Sequence, residues 1–112
     1  MEIYKGKTQQ ILMDYESSLS SKLEKGEDFR IYYKNGGDTV NVLTIIDRDD
    51  DSNFLNRIYS TQAKILQRHV LKQEEDGVNV NFRVLPTYNT PISRIIPPSF
   101  IRYNAKSQLQ KI

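Results

Sequence analysis

The chain has 112 residues, 38% hydrophobic and 27% charged, with a net charge of +2 and no cysteine. That length fits one domain, and the balance is that of a globular protein, not a disordered or fibrous one. The absence of cysteine excludes a disulfide frame, a thiol nucleophile and a cysteine-held zinc.

No run approaches the ~18 apolar residues needed to span a membrane. The opening MEIYKGKTQQ lacks the basic-then-apolar order of a secretory signal, so a cytoplasmic protein is expected. Charge is unevenly placed. Residues 1–76 carry 11 Lys/Arg and 14 Asp/Glu, whereas residues 77–112 carry five Lys/Arg and no acid. The C-terminal third therefore meets something negative or packs on the protein's own acidic surface.

Ile11, Leu12, Tyr15, Leu19 and Leu23 recur at three- and four-residue spacing, which predicts a helix from Thr8 to Lys25. Thr8 is its expected N-cap and Gly26 its C′ residue, where left-handed backbone angles favour glycine. A strand follows from Asp28 to Lys34, with Phe29, Ile31 and Tyr33 alternating against Arg30, Tyr32 and Lys34. Asn35-Gly36-Gly37-Asp38 is a hairpin signal, because a type I′ turn needs positive φ at both central residues. The run Thr39 to Ile46 is apolar on both faces and predicts a central strand.

A second helix is expected from about Asn53 to Leu71, with Phe54, Leu55, Ile58, Ile65, Leu66 and His69 inward and Gln62 the weak spot of the stripe. Ser52 is its natural cap, and Asp49, Asp50 and Asp51 precede its positive end. After a polar turn at Gln73 to Gly77, the strand Val78 to Leu85 alternates Val78, Val80, Phe82 and Val84 with Asn79, Asn81 and Arg83. Strand, helix and strand of this length form a right-handed parallel crossover. Pro86, Pro91, Pro97 and Pro98 then punctuate an irregular segment, with a short helix allowed between Ser99 and Ile112.

Three local features invite a chemical reading. Asp47, Asp49 and Asp51 alternate like the start of a calcium loop, but Ser52 stands where glycine is required and Ile58 where a bidentate Glu is required. His69, the one histidine, suits the negative end of its helix, and the sequence places no nucleophile beside it. Gly36-Gly37 lacks the spacing of a phosphate-binding loop and is explained by the hairpin.

The segments DFRIYYKNGG, TVNVLTIID, NRIYSTQAKIL and VNVNFRVLP, over about residues 8–86, resemble the core of the polymerase-beta-type nucleotidyltransferase superfamily in its minimal form. The resemblance implies two metal ions held by an Asp-x-Asp pair and a later carboxylate. The pair's positions would be Thr39 and Asn41 here, and the third Asn79 or Asn81, so the catalytic motifs are absent. Gly36-Gly37 stands where the family has Gly-Ser, with too short a segment after it. An asparagine carbonyl can ligate magnesium but brings no charge.

The expected fold is therefore α+β, a small mixed sheet in the order α-β-β-α-β with two helices. Residues 1–85 form the core domain and 86–112 a proline-punctuated basic C-terminal arm. The expected function is that of a small non-enzymatic binding or adaptor protein working through protein–protein contacts, self-association included. No catalytic residue, metal or cofactor is expected. Partner-binding residues are Tyr32 on the first strand and Tyr88, Arg94, Phe100, Arg102, Tyr103 and Lys106 on the arm. If the first strand is a sheet edge, it can pair with another chain. The alternatives are a nucleic-acid-binding protein using the basic aromatic arm, and a nucleotide-binding, transferase-like enzyme.

Overall fold

The computed structural model describes residues 2–24, 27–36, 38–46, 52–69, 79–87 and 91–103. The elements in chain order are α1 (Glu2–Ser20), β1 (Phe29–Gly36), β2 (Thr39–Ile46), α2 (Ser52–His69), β3 (Asn79–Pro86), α3 (Ile92–Ile95) and β4 (Ile101–Arg102). The fold is α+β, with a four-stranded mixed sheet in the order β3-β2-β1-β4. Both β1–β2 and β1–β4 are antiparallel, whereas β2 and β3 are parallel.

The two long helices cover one face of the sheet. The α1 stripe Ile11, Leu12, Tyr15 and Leu19 is fully buried, as are Phe54, Ile58 and Ile65 of α2. They pack on Ile31, Val40, Val42 and Ile46, with Val80, Phe82 and Val84 of β3 at the side. Burial of each such side chain contributes roughly 1.5–3 kcal/mol. The helices run antiparallel, because Asp14 meets Arg68 and His69 while Lys22 meets Thr61. Gln62 stays in the apolar stripe because its amide donates to the Tyr15 hydroxyl (3.0 Å), which lies 2.6 Å from the Thr44 hydroxyl. A buried polar group is tolerated when its partners come with it.

Several expectations are corrected. The first helix begins at Glu2, so Thr8 is an interior residue and not its N-cap. Thr8 is 1% exposed, and its hydroxyl donates to Asn35 Oδ1 across 3.0 Å. The helix ends at Ser20, where i→i+3 bonds from Lys22 and Leu23 tighten the last turn. Asn35 and Gly36 belong to β1, and Gly36 pairs with Thr39, so neither is a central residue of the turn.

The first strand is not an edge along its tyrosines, since Tyr32 pairs with Arg102 and Tyr33 with Ile101. In place of a terminal helix from Ser99, residues 101 and 102 form β4. Gly26, Gly37, Leu71, the polar turn, Val78 and residues 104–112 lie outside the described residues.

Residues 91–103 of the arm are thus part of the domain. Leaving β3 beside Ile46, it crosses the sheet's second face through α3 and returns to pair with β1 at the opposite edge. Leu43 and Ile45, which belong to that second face, are 4% and 2% exposed beneath it. Tyr103 turns back into the main core at 5% exposed, and its backbone N–H donates to Ile31 O.

Candidate functional site

Side chains alternate across a strand, so the residues not facing the helices share the outer face. The pairing register sorts them into rungs. One rung reads Arg83, Leu43, Tyr32, Arg102 from β3 to β4. A second reads Asn81, Asn41, Lys34, a third Leu85, Ile45, Arg30, and a fourth opens with Asn79 and Thr39. Arg30, Lys34, Arg83 and Arg102 are all exposed, as is Arg94 on α3. None of these strand positions carries a carboxylate; Asp28 and Asp38 stand just outside the strands. The result is a basic, amide-rich sheet face with an aromatic ring near its centre.

The α3 segment turns part of this face into a cleft of about 270 Å³. Its floor is Asn41, Leu43, Asn81, Arg83 and Leu85, and its wall is Ile95, Pro97 and Phe100. On the floor the Asn81 amide donates to Asn41 Oδ1 at 3.2 Å. Both amides line the cleft, which therefore offers apolar walls, two side-chain amides and a guanidinium.

A second hollow, of about 480 Å³, lies between α1 and the β1–β4 edge, lined by Thr8, Gln9, Tyr33, Lys34, Asn35, Ser99 and Ile101. The Gln9 carbonyl oxygen is buried there without a hydrogen-bond partner among the described residues.

The residues expected to bind a partner divide sharply. Tyr32 and Arg102 come together on the outer face, Phe100 lines the cleft and Arg94 is exposed on α3. Tyr103 does not join them, because its ring belongs to the core cluster and is closed to a partner. Burial raises its phenol pKa, with the Glu16 charge and Tyr33 adding to the effect. Tyr88, Lys106 and the Asp47–Asp51 run lie outside the described residues. Lys34, Asn41, Asn81 and Arg83 were not singled out as ligand-binding residues by sequence. The signal was present in the polar half of each strand's alternation, but only the register assembles it.

The positions where the nucleotidyltransferase resemblance requires carboxylates, Thr39, Asn41, Asn79 and Asn81, fall on two adjacent rungs of this face. They hold a hydroxyl and three amides, which suit neutral hydrogen-bonding edges better than a divalent ion. Among the described residues no three His, Cys, Asp or Glu side chains converge.

His69 reaches Asp14 on the other side of the molecule, Nε2 to Oδ2 at 2.7 Å, while Arg68 and Ser18 bind Asp14 Oδ1 at 2.7 and 3.1 Å. Here the carboxylate sits between the imidazole and the serine. A serine nucleophile needs the imidazole in the middle, so this group is a helix–helix clamp.

No helix among the described residues is long and apolar enough to cross a membrane. No family model, curated protein or solved structure matches the chain.

Proposed function

We propose that the protein is a non-enzymatic binding protein that takes a nucleic acid on the outer face of its sheet. The observation that carries this reading is the rung Arg83–Leu43–Tyr32–Arg102. It places a cation at each end and an aromatic ring between them, on a face whose strands bring no negative charge. Phosphates supply the complementary charge, and Tyr32 supplies a stacking surface that tolerates any base. The basic character of residues 77–112 thus acts through Arg83, Arg94 and Arg102 as parts of a folded surface.

The test is fluorescence anisotropy of a labelled single-stranded oligonucleotide over a salt series. Removing both Arg83 and Arg102 lowers the salt slope by about 1.4, since each phosphate neutralised on a single strand contributes about 0.7. An unchanged affinity and slope, with the far-UV dichroism intact, would reject the proposal.

One observation supports a second reading, a protein partner added as a further strand. Among the described residues no strand pairs with the outer side of β3, which is eight residues long. Open edges of that length template strand addition. Light scattering across a concentration series checks the simplest case, pairing between two copies; a constant monomer mass removes that case.

A further inference from the structure

We infer that the cleft between the sheet and the α3 segment receives one unpaired nucleobase, so that the face prefers single strands to duplex. This rests on the reading of the outer face as a nucleic-acid surface, and it adds what that surface reads.

The cleft is smaller than the ~300–1,000 Å³ pockets that bury drug-sized ligands, and at about 270 Å³ it suits one heteroaromatic ring. Its walls match a base in kind. Leu43 and Leu85 form an apolar floor, while Pro97 and Phe100 stand against it from the arm. Flat π-faces gain by lying between such groups.

Its polar groups match a base edge. The cleft is lined by two side-chain amides, Asn81 and Asn41, whose mutual bond uses only an Asn81 N–H and the Asn41 Oδ1. An amide presents the acceptor-and-donor pair that reads a base edge in one plane. A bare phosphate has no use for an amide carbonyl, and an aliphatic side chain would bond neither amide.

The cations lie around the cleft and not within its apolar part. Arg83 shares the cleft, Lys34 follows Asn41 on the same rung, and Arg102 lies beyond Tyr32. A strand laid across the face thus keeps its phosphates on Lys34, Arg83 and Arg102 while one base turns inward and a neighbour stacks on Tyr32. A duplex has no free base to turn inward without unpairing, which is a cost the single strand avoids.

Anisotropy with labelled ten-nucleotide RNAs (A10, C10, U10), the matching DNAs, an abasic ten-mer and a ten-base-pair duplex tests this on the full chain. The best base-bearing oligomer is expected to bind about tenfold tighter than the abasic one, the scale of one base stacked on protein. Asn81→Ala is expected to remove most of that gap. Asn81 is exposed, and thermal unfolding of the variant checks that it folds.

If every base-bearing oligomer binds no better than the abasic one, yet the double arginine variant weakens both, the face binds phosphates and the base cleft is wrong. If nothing binds, both ideas fail together. A duplex binding as tightly as the best single strand also defeats the cleft. A difference between RNA and DNA at equal sequence identifies which polymer supplies the base.

Discussion

Arg83 and Arg102 stand at opposite ends of one rung of the sheet, with only Leu43 and Tyr32 between them. At about 4.8 Å between strands, their backbones are on the order of 14 Å apart. Groups that far apart act independently. Arg83→Ala and Arg102→Ala should therefore each reduce the salt slope of oligonucleotide binding by about 0.7, and their effects should add. Arg68→Ala, on the helix side, should leave the slope unchanged. A large effect of Arg68 would place the ligand on the wrong face.

The Tyr15 hydroxyl joins three elements, accepting from Gln62 on α2 and lying 2.6 Å from Thr44 on β2. Burial raises its pKa, although the bonds to Thr44 and Gln62 pull the other way, so the ring stays a neutral phenol. Tyr15→Phe leaves two buried polar groups without their shared partner. We expect a loss of about 1–3 kcal/mol in urea unfolding. Adding Gln62→Leu to Tyr15→Phe should recover part of it, since an apolar replacement restores a consistent stripe. No recovery in the double variant would show that the network is not the cause.

Glu27 is 3% exposed in its side chain, and both its oxygens meet the Arg57 guanidinium at 2.5 Å. Arg57 also donates to Lys22 O and lies over the Phe54 ring, 5.5 Å from its centre. The pair ties the turn after α1 to the middle of α2. Glu27→Ala leaves a partly buried guanidinium without its main counter-charge, and we expect a cost on the order of 3 kcal/mol. A change under about 0.5 kcal/mol in the denaturation midpoint would mean that water replaces the carboxylate there.

Asp14 titrates below its ordinary value of 3.8. Burial pushes its pKa up, but the bonds from His69, Arg68 and Ser18, with the charge of Arg68, outweigh that. The folded state therefore holds this proton less tightly than the unfolded chain. The carboxylate's stabilisation is complete above 3.8 and is lost as pH falls through the lower folded value. Asp14→Asn should cost about 1 kcal/mol at neutral pH and should flatten the stability curve below the carboxyl's ordinary value of 3.8. Parallel curves for the two proteins in that window would contradict the assignment.

Tyr103 carries a buried hydroxyl with no hydrogen-bond partner among the described residues. Tyr103→Phe removes the polar atom and keeps the ring, so it should be neutral or stabilise by about 1 kcal/mol. Tyr103→Ala should cost about 3–5 kcal/mol, as aromatic truncations in a core do. A destabilising Tyr103→Phe would reveal a partner for that hydroxyl.

Local pattern carried much of the architecture. The strand Thr39 to Ile46 was legible to the residue because both its faces are apolar, one under the helices and the other under the arm. The alternation of β3 was equally plain. Thr8 misled because its partner, Asn35, is 27 positions away, and nothing local distinguishes a buried interior threonine from a cap. Proline punctuation in the arm marked the break between α3 and β4 but not the helix at Ile92–Ile95. It carried no information on the pairing of residues 101 and 102 with β1, which is a long-range choice. The site was half visible for the same reason. Tyr32 and Arg102 could be named singly, but Asn41, Asn81 and Arg83 gain meaning only when the register aligns them.

The arm's route across the sheet has a consequence for synthesis. Tyr32 and Arg102 are neighbours in the sheet but seventy positions apart in the chain. Until residues 101–103 have left the ribosome, β1 has no β4 to pair with, and Leu43 and Ile45 lack their cover. The nascent domain thus displays a bare aliphatic strip in the middle of its basic face. Loop closure of that span is slow relative to local helix formation. The same segment both hides the strip and raises the wall of the cleft, so the cover of Leu43 and Ile45 and the shape of the candidate site arrive together.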